Sequence, residues 1–200
     1  NKGVESPLFY ASIGLAASED GKSFRKLSVA PILSRSKWDP CLVTSSNVFI
    51  ENGLWRMTYV SGIKWTRGLN GKLQSHYHIK YAESEDGIQW KRDGRVAIDF
   101  RPGETNIARS SVVKDHDGSY KMWFSYVHSE IAKYRIGFAK SVDGYHWERT
   151  DEEDKIPKDN YHAKDMICYP FVFIFKNKMY MLYNGNNFGK SGFGVAVWEE

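Results

Sequence analysis

The sequence predicts an all-β chain, a stretch of β-propeller made of four-stranded antiparallel blades. Three observations predict it. A strand–turn–strand pattern returns about every sixty residues. Each return carries an Asp-Gly turn at the same phase. Aromatic residues make up 15% of the chain against 42% hydrophobic residues in all, a balance that suits pleated sheets, on which rings pack well.

The turns come first. Ser18-Glu19-Asp20-Gly21-Lys22-Ser23-Phe24 recurs as Ser84-Glu85-Asp86-Gly87-Ile88-Gln89-Trp90 and as Ser141-Val142-Asp143-Gly144-Tyr145-His146-Trp147. Asp-Gly supplies the positive-φ positions of a tight hairpin, and the aromatic three residues on opens the return strand. Each copy follows a small alternating segment: Ile13-Gly14-Leu15-Ala16, Ile79-Lys80-Tyr81-Ala82 and Ile136-Gly137-Phe138-Ala139. A fourth, Phe193-Gly194-Val195-Ala196, stands near the C-terminus without its hairpin.

A second set of strands interleaves with these. Trp55 to Tyr59, Tyr120 to Phe124 and Tyr180 to Asn184 follow turns read at Asn52-Gly53, Asp117-Gly118 and Asn177-Lys178. Before each turn runs a β-branched or aromatic segment: Val48 to Ile50, Val112-Val113 and Phe171 to Ile174. One unit thus reads strand, tight turn, strand, longer loop, strand, Asp-Gly turn, strand, which is the pattern of a propeller blade. The expected division is a partial blade over 1–36, blades over 37–101 and 102–160, and a partial blade over 161–200. About three blades lie at the lower limit of the fold. Either a small ring closes within the chain or this is part of a larger propeller, whose exposed blade edges would pair with another copy, as a homo-oligomer, or with another chain.

Composition excludes several classes. The net charge of +4 is spread over the chain with no basic stripe, which argues against nucleic acid. No apolar run approaches the roughly 18 residues that span a bilayer, so no membrane partner is expected. Residues 1–10 do not read as a secretory signal, and the expectation is a soluble chain, with the cytoplasm favoured. Cys41 and Cys168 read as buried and reduced, and the six histidines show no ligand spacing. His76 and His78 share a strand face and read as surface. No cofactor is expected.

Rotation about a propeller axis brings equivalent positions of successive blades into a ring. Asp39 and Glu104 each lie sixteen residues before Trp55 and Tyr120, and Asp165 fifteen before Tyr180, just ahead of the innermost strand of each unit. Three carboxylates in such a ring make an acidic sugar pocket or a general acid and base set, since crowded carboxylates raise one another's pKa. The competing readings are an Asp39 that caps the turn at Pro40 and a Glu104 that pairs with Arg109 or Arg101. Arg109 and Asn106 sit on the same approach, Arg109 suited to orient a carboxylate or to bind an anionic sugar. Tyr183, Asn184 and Asn186, with Trp123 and Tyr126, offer stacking faces and amides, inter-blade packing being the alternative for the rings. Trp65, in the predicted loop Lys64-Trp65-Thr66-Arg67-Gly68, reads as a rim contact.

Several of these runs resemble a known group. Tyr10 to Ala16 with its Asp-Gly hairpin, Tyr81 to Ser84, Glu104 to Arg109 and Met181 to Asn186 resemble glycosidase-like proteins of the five-bladed propeller superfamily that includes family-43 and family-32 glycoside hydrolases. The resemblance implies a central pocket with three essential carboxylates on successive inner strands. By position it makes Glu104 the general acid candidate, with Asp39 or Asp165 in the remaining roles. It also implies about a hundred further residues before Tyr10, including an aspartate-rich blade that carries the usual base or nucleophile. The hairpin resembles the Asp-box of sialidases but is one residue shorter, which makes it structural. Three functions stay open: a glycoside hydrolase acting on a glycan, a non-catalytic carbohydrate-binding module, and a scaffold that binds protein on its faces.

Overall fold

The computed structural model describes residues 9–68, 71–151, 163–190 and 192–198. It is all-β. Strands β1 (Ala16–Ala17) and β2 (Arg25–Lys26) pair with each other. Next come β3 (Leu42–Glu51), β4 (Leu54–Arg67), β5 (Leu73–Ser84) and β6 (Val96–Ile98), joined antiparallel in that order. β7 (Glu104–Lys114), β8 (Tyr120–His128), β9 (Tyr134–Ser141) and β10 (Glu148–Arg149) form a second antiparallel unit. A single parallel pair, Tyr77 with Asn106, links the two units into one eight-stranded sheet. β11 (Cys168–Phe175), β12 (Lys178–Asn184) and β13 (Phe193–Val197) form a separate three-stranded sheet.

The Asp-Gly motif builds the same structure three times. Asp143 Oδ1 accepts Ser141 Oγ at 3.0 Å and the Tyr145 and His146 amides at 2.8 Å. Asp86 and Asp20 repeat the set with Ser84, Ile88, Gln89 and with Ser18, Lys22, Ser23. Satisfying two loop amides at once is what an aspartate at this place does. The return strands are shorter than read: β2 and β10 hold two residues each, and near Trp90 only the Glu83–Lys91 bridge forms.

Other turns differ from the sequence reading. Asn52-Gly53 is the two-residue turn read, with φ of 51° and 80°. The next hairpin pairs Lys114 with Tyr120, leaving a five-residue connection around Asp117-Gly118. The last turn is Lys176-Asn177, one residue earlier than read, and Lys178 already pairs with Phe175. Trp65 is not in a loop: β4 and β5 stay paired out to Arg67 and Leu73.

Packing is between units. Trp123, Phe138, Val172, Met181 and Tyr183 make one core between β8–β9 and β11–β12. Ile79, Ile98, Ile107, Met122 and Phe124 make another between the first and second units. Leu33 and Ile13 cover Val43, Met57 and Tyr59 on the N-terminal side. The inner strands are tied to one another by a repeated bond: Asn47 Oδ1 accepts the Val112 amide at 3.0 Å, and Ser111 Oγ accepts the Val172 amide at 2.8 Å. On β11–β13 the side chains of Phe171, Phe193, Val195 and Val197 are exposed.

Candidate functional site

Each inner strand is broken by the same bulge. In β3 the pairing jumps from Thr44–Val60 to Asn47–Thr58, in β7 from Ala108–Ser125 to Ser111–Trp123, and in β11 from Cys168–Asn184 to Phe171–Leu182. One extra residue is inserted each time, and such bulges turn a side chain out of the ladder. The first bulged residue has positive φ in all three: Ser45 at 49°, Arg109 at 46° and Tyr169 at 57°. None is glycine, so each holds a backbone conformation that costs about 1 kcal/mol or more and is characteristic of functional sites.

The three bulges meet at one cavity of about 320 Å³. Ser45, Arg109 and Tyr169 line it together with Thr44, Tyr77 and Tyr134. The Tyr77 and Tyr134 hydroxyls hydrogen-bond to each other, and the Tyr134 ring lies 5.5 Å from that of Tyr169. Phe188, in the turn Asn186–Gly189, stacks on Tyr169 at 6.0 Å. Burial raises the pKa of all three tyrosines, that of Tyr169 to about 12, so they are neutral phenols at physiological pH. Arg109 lies over the Tyr169 ring at 5.8 Å and is the one charged side chain among the described residues of the lining.

A second cavity, about 540 Å³, lies between β5 and the Asp143 hairpin. Its charges are matched within the protein: Arg92 bonds Asp39, Lys91 Glu85, Arg95 Asp93 and His146 Asp143. Glu83, in the same groove, accepts the hydroxyls of Tyr81 and Tyr145. The central cavity, reached by equivalent positions of three units, is the better candidate.

The carboxylates read from the sequence each have partners of their own. Glu104 is gripped by Arg149, whose Nη1 and Nη2 reach its two oxygens at 2.7 and 2.8 Å, and it accepts the Arg101 amide at 2.8 Å. Its side chain is 3% exposed. Asp39 is fully buried and bonds Arg92 at 2.7 Å, Ser36 at 2.9 Å and the Tyr59 hydroxyl at 3.1 Å. Asp165 is exposed, and its backbone carbonyl accepts Arg135 at 2.7 Å. Counted from the bulges, Asp39 lies six residues ahead, Glu104 five and Asp165 four, so the three do not share a register. Counting from Trp55, Tyr120 and Tyr180 crosses hairpin turns of unequal length, which hid this.

The remaining candidates divide. Asn106 does not line the cavity; it donates to Ser75 O at 2.7 Å and pairs with Tyr77, which does. Trp65 packs on the cluster beneath the cavity and meets Phe9 edge-on at 5.9 Å. Trp123 is core, 1% exposed, between Phe138 and Trp198. Tyr126 lies under Arg149, and Tyr183 packs in the same core as Trp123. Asn184 packs near Gly189, and Asn186 Oδ1 accepts the Asp165 and Met166 amides at 2.9 Å. Cys168 is buried and free, its thiol raised to about 11 by burial; Cys41 is free and only partly buried. His78 is buried and not surface, stacked 5.4 Å from Phe100. Among the described residues no group of three His, Cys, Asp or Glu is placed to hold a metal, and no helix is long and apolar enough to cross a membrane.

The sequence reading missed Ser45, Tyr77, Tyr134 and Tyr169. A signal for two of them was present: Tyr77 and Tyr134 both stand two residues before the repeated isoleucine, Ile79 and Ile136. No sequence signal marks the bulges.

No protein-family model matches the chain. An uncharacterized protein of Mycobacterium tuberculosis strain H37Rv is 37% identical over 191 residues, covering 94% of this chain and 61% of that protein. The chain therefore spans less than two thirds of this curated relative. A thermostable family-43 glycoside hydrolase superposes with a TM-score of 0.68 at 18% identity, over 94% of this chain and 64% of the hydrolase. The chain shares the fold of this hydrolase. A family 117 glycoside hydrolase from Zobellia galactanivorans gives a TM-score of 0.63 at 17% identity, over 82% of this chain and 54% of its own. The resemblance to glycosidase-like propellers read from the sequence is met by these structures. In this shared fold, the bulges of β3, β7 and β11 line one cavity.

Proposed function

We propose that the chain binds carbohydrate in the central cavity of a glycoside hydrolase-like propeller, its antiparallel units serving as blades. The observation that carries this is the convergence of three equivalent bulges, at Ser45, Arg109 and Tyr169, on one cavity walled by tyrosines. Phenol rings offer flat apolar faces with a polar rim, and Thr44, Ser45 and the tyrosine hydroxyls offer donors and acceptors, the mixture a sugar needs.

Hydrolysis is the second reading, favoured by the fold of the structural neighbours. Two carboxylates flanking the scissile bond would be required, and among the described residues none lines the cavity. Glu104 and Asp39 are instead engaged by Arg149 and Arg92. Binding is therefore the reading the geometry favours for these residues.

The test is a glycan panel assayed for both binding and reducing-sugar release, with wild type, Tyr134→Ala and Glu104→Gln. Binding lost in Tyr134→Ala, with no release by any form, is the expected result. Release by wild type that Glu104→Gln abolishes at unchanged folding would return the function to hydrolysis with Glu104 in its chemistry. A panel that neither binds nor reacts would sink the carbohydrate reading.

A further inference from the structure

We infer that the central cavity selects an acidic sugar, the Arg109 guanidinium taking an oxyanion group carried on the ring. The inference rests on the carbohydrate reading and adds the class of ligand. Five arginines of the chain are matched by carboxylates: Arg56 by Glu51, Arg92 by Asp39, Arg95 by Asp93, Arg101 by Asp151 and Arg149 by Glu104. Arg109, like Arg25, Arg35 and Arg135, has none among the described residues; what sets it apart is that it is the single charge of its cavity. Arg109 is itself exposed, so its guanidinium stands open to a ligand at the tyrosine-lined wall of the cavity. An arginine fork fits a carboxylate or a phosphate with two parallel hydrogen bonds.

The backbone adds an independent argument. Arginine at φ 46° is held against its own preference by the bulge. The equivalent positions of the neighbouring units carry the small Ser45 and the ring of Tyr169, so the cavity receives a hydroxyl, a guanidinium and an aromatic face from one repeated strained position. Thr44, Ser45 and the Tyr77–Tyr134 pair then face the hydroxyls of the sugar, and the ring of Tyr169 offers its face. Carboxylate-bearing sugars (uronates) and sugar phosphates share the required chemistry.

The experiment is titration calorimetry of the chain with glucuronate, galacturonate and glucose 6-phosphate against glucose and galactose. The acids should bind roughly tenfold or more tighter than their neutral parents, the scale of one charge-assisted pair. That preference should shrink as salt rises. It should also fall at least fivefold in Arg109→Asn, chosen because asparagine tolerates positive φ and keeps the bulge. Which acid arm responds, carboxylate or phosphate, identifies the oxyanion. Equal binding of acids and neutral parents to wild type would overturn the inference and leave the carbohydrate reading standing. Failure of every sugar to bind would overturn both.

Discussion

Arg149 holds Glu104 by both carboxylate oxygens, at 2.7 and 2.8 Å, across a sequence separation of 45 residues. The same guanidinium reaches Asp151 at 2.6 Å, and Arg101 bonds Asp151 at 3.1 Å and the Arg149 carbonyl at 2.9 Å. Burial works against the Arg149 charge, but the two carboxylates prevail and raise its pKa. This network ties the start of β7 to the end of β10, within one antiparallel unit.

Glu104→Gln is therefore expected to cost about 2 kcal/mol of stability, since it removes a charged acceptor from a pair with 3% and 9% exposed side chains. Sugar binding at the central cavity should survive at temperatures where the variant is folded. Urea unfolding followed by tryptophan fluorescence, alongside the binding assay, checks both halves.

A glycine series in the second repeat segment should separate close approach from mere sequence similarity. Gly137 and Gly194 lie opposite Phe124 and Tyr183, and a Cβ there would come within 2.6 and 2.3 Å of those rings. At Gly14 a Cβ meets nothing within 4 Å. Gly137→Ala should destabilise by about 2 kcal/mol through overpacking, and Gly14→Ala should be close to neutral. Equal effects at the two sites would refute the packing account.

Stability should fall on mild acidification. Burial lowers the His78 pKa below the ordinary 6.5, against the opposing pull of Asp99 at 2.9 Å and Asp39, with Lys80 acting in the same direction as burial. His76 is lowered for the same first reason. Below pH 6.5 the unfolded chain then binds more protons than the folded one, so unfolding free energy drops as pH falls through that window and is flat above it. His78→Gln should remove part of the slope, read from unfolding curves between pH 5 and pH 7.

The apolar outer face of β11–β13 should drive association. Phe193 and Val195 on β13 are 68% and 57% exposed, and Phe171 beside them 51%. Faces of this kind are covered in folded proteins or become contact sites. Sedimentation velocity should show concentration-dependent self-association of wild type, and Val195→Lys should weaken it. A wild type that stays monomeric throughout would refute the expectation.

Local chemistry was legible in advance. The Asp-Gly hairpins at Asp20, Asp86 and Asp143 need only their own neighbours, a serine two residues back and two amides ahead, so three copies in the sequence became three copies of one hydrogen-bond set. The all-β class followed from the same local patterns, because alternation and turn residues act within a few positions.

The site was less legible, for reasons that are geometric. Which strand position faces the cavity depends on one inserted residue in each of β3, β7 and β11, and neither Ser45 nor Tyr169 announces a bulge. Which charges meet depends on pairings such as Glu104 with Arg149 and Asp39 with Arg92, separated by 45 and 53 residues, for which spacing holds no information. The sequence by itself determined the all-β class and the three Asp-Gly hydrogen-bond motifs. Only the tertiary structure decided that the carboxylates lie under arginines and that tyrosines with one unmatched arginine line the cavity. Side-chain direction in a sheet reverses with every residue, so register, set by long-range packing, decides what a site contains.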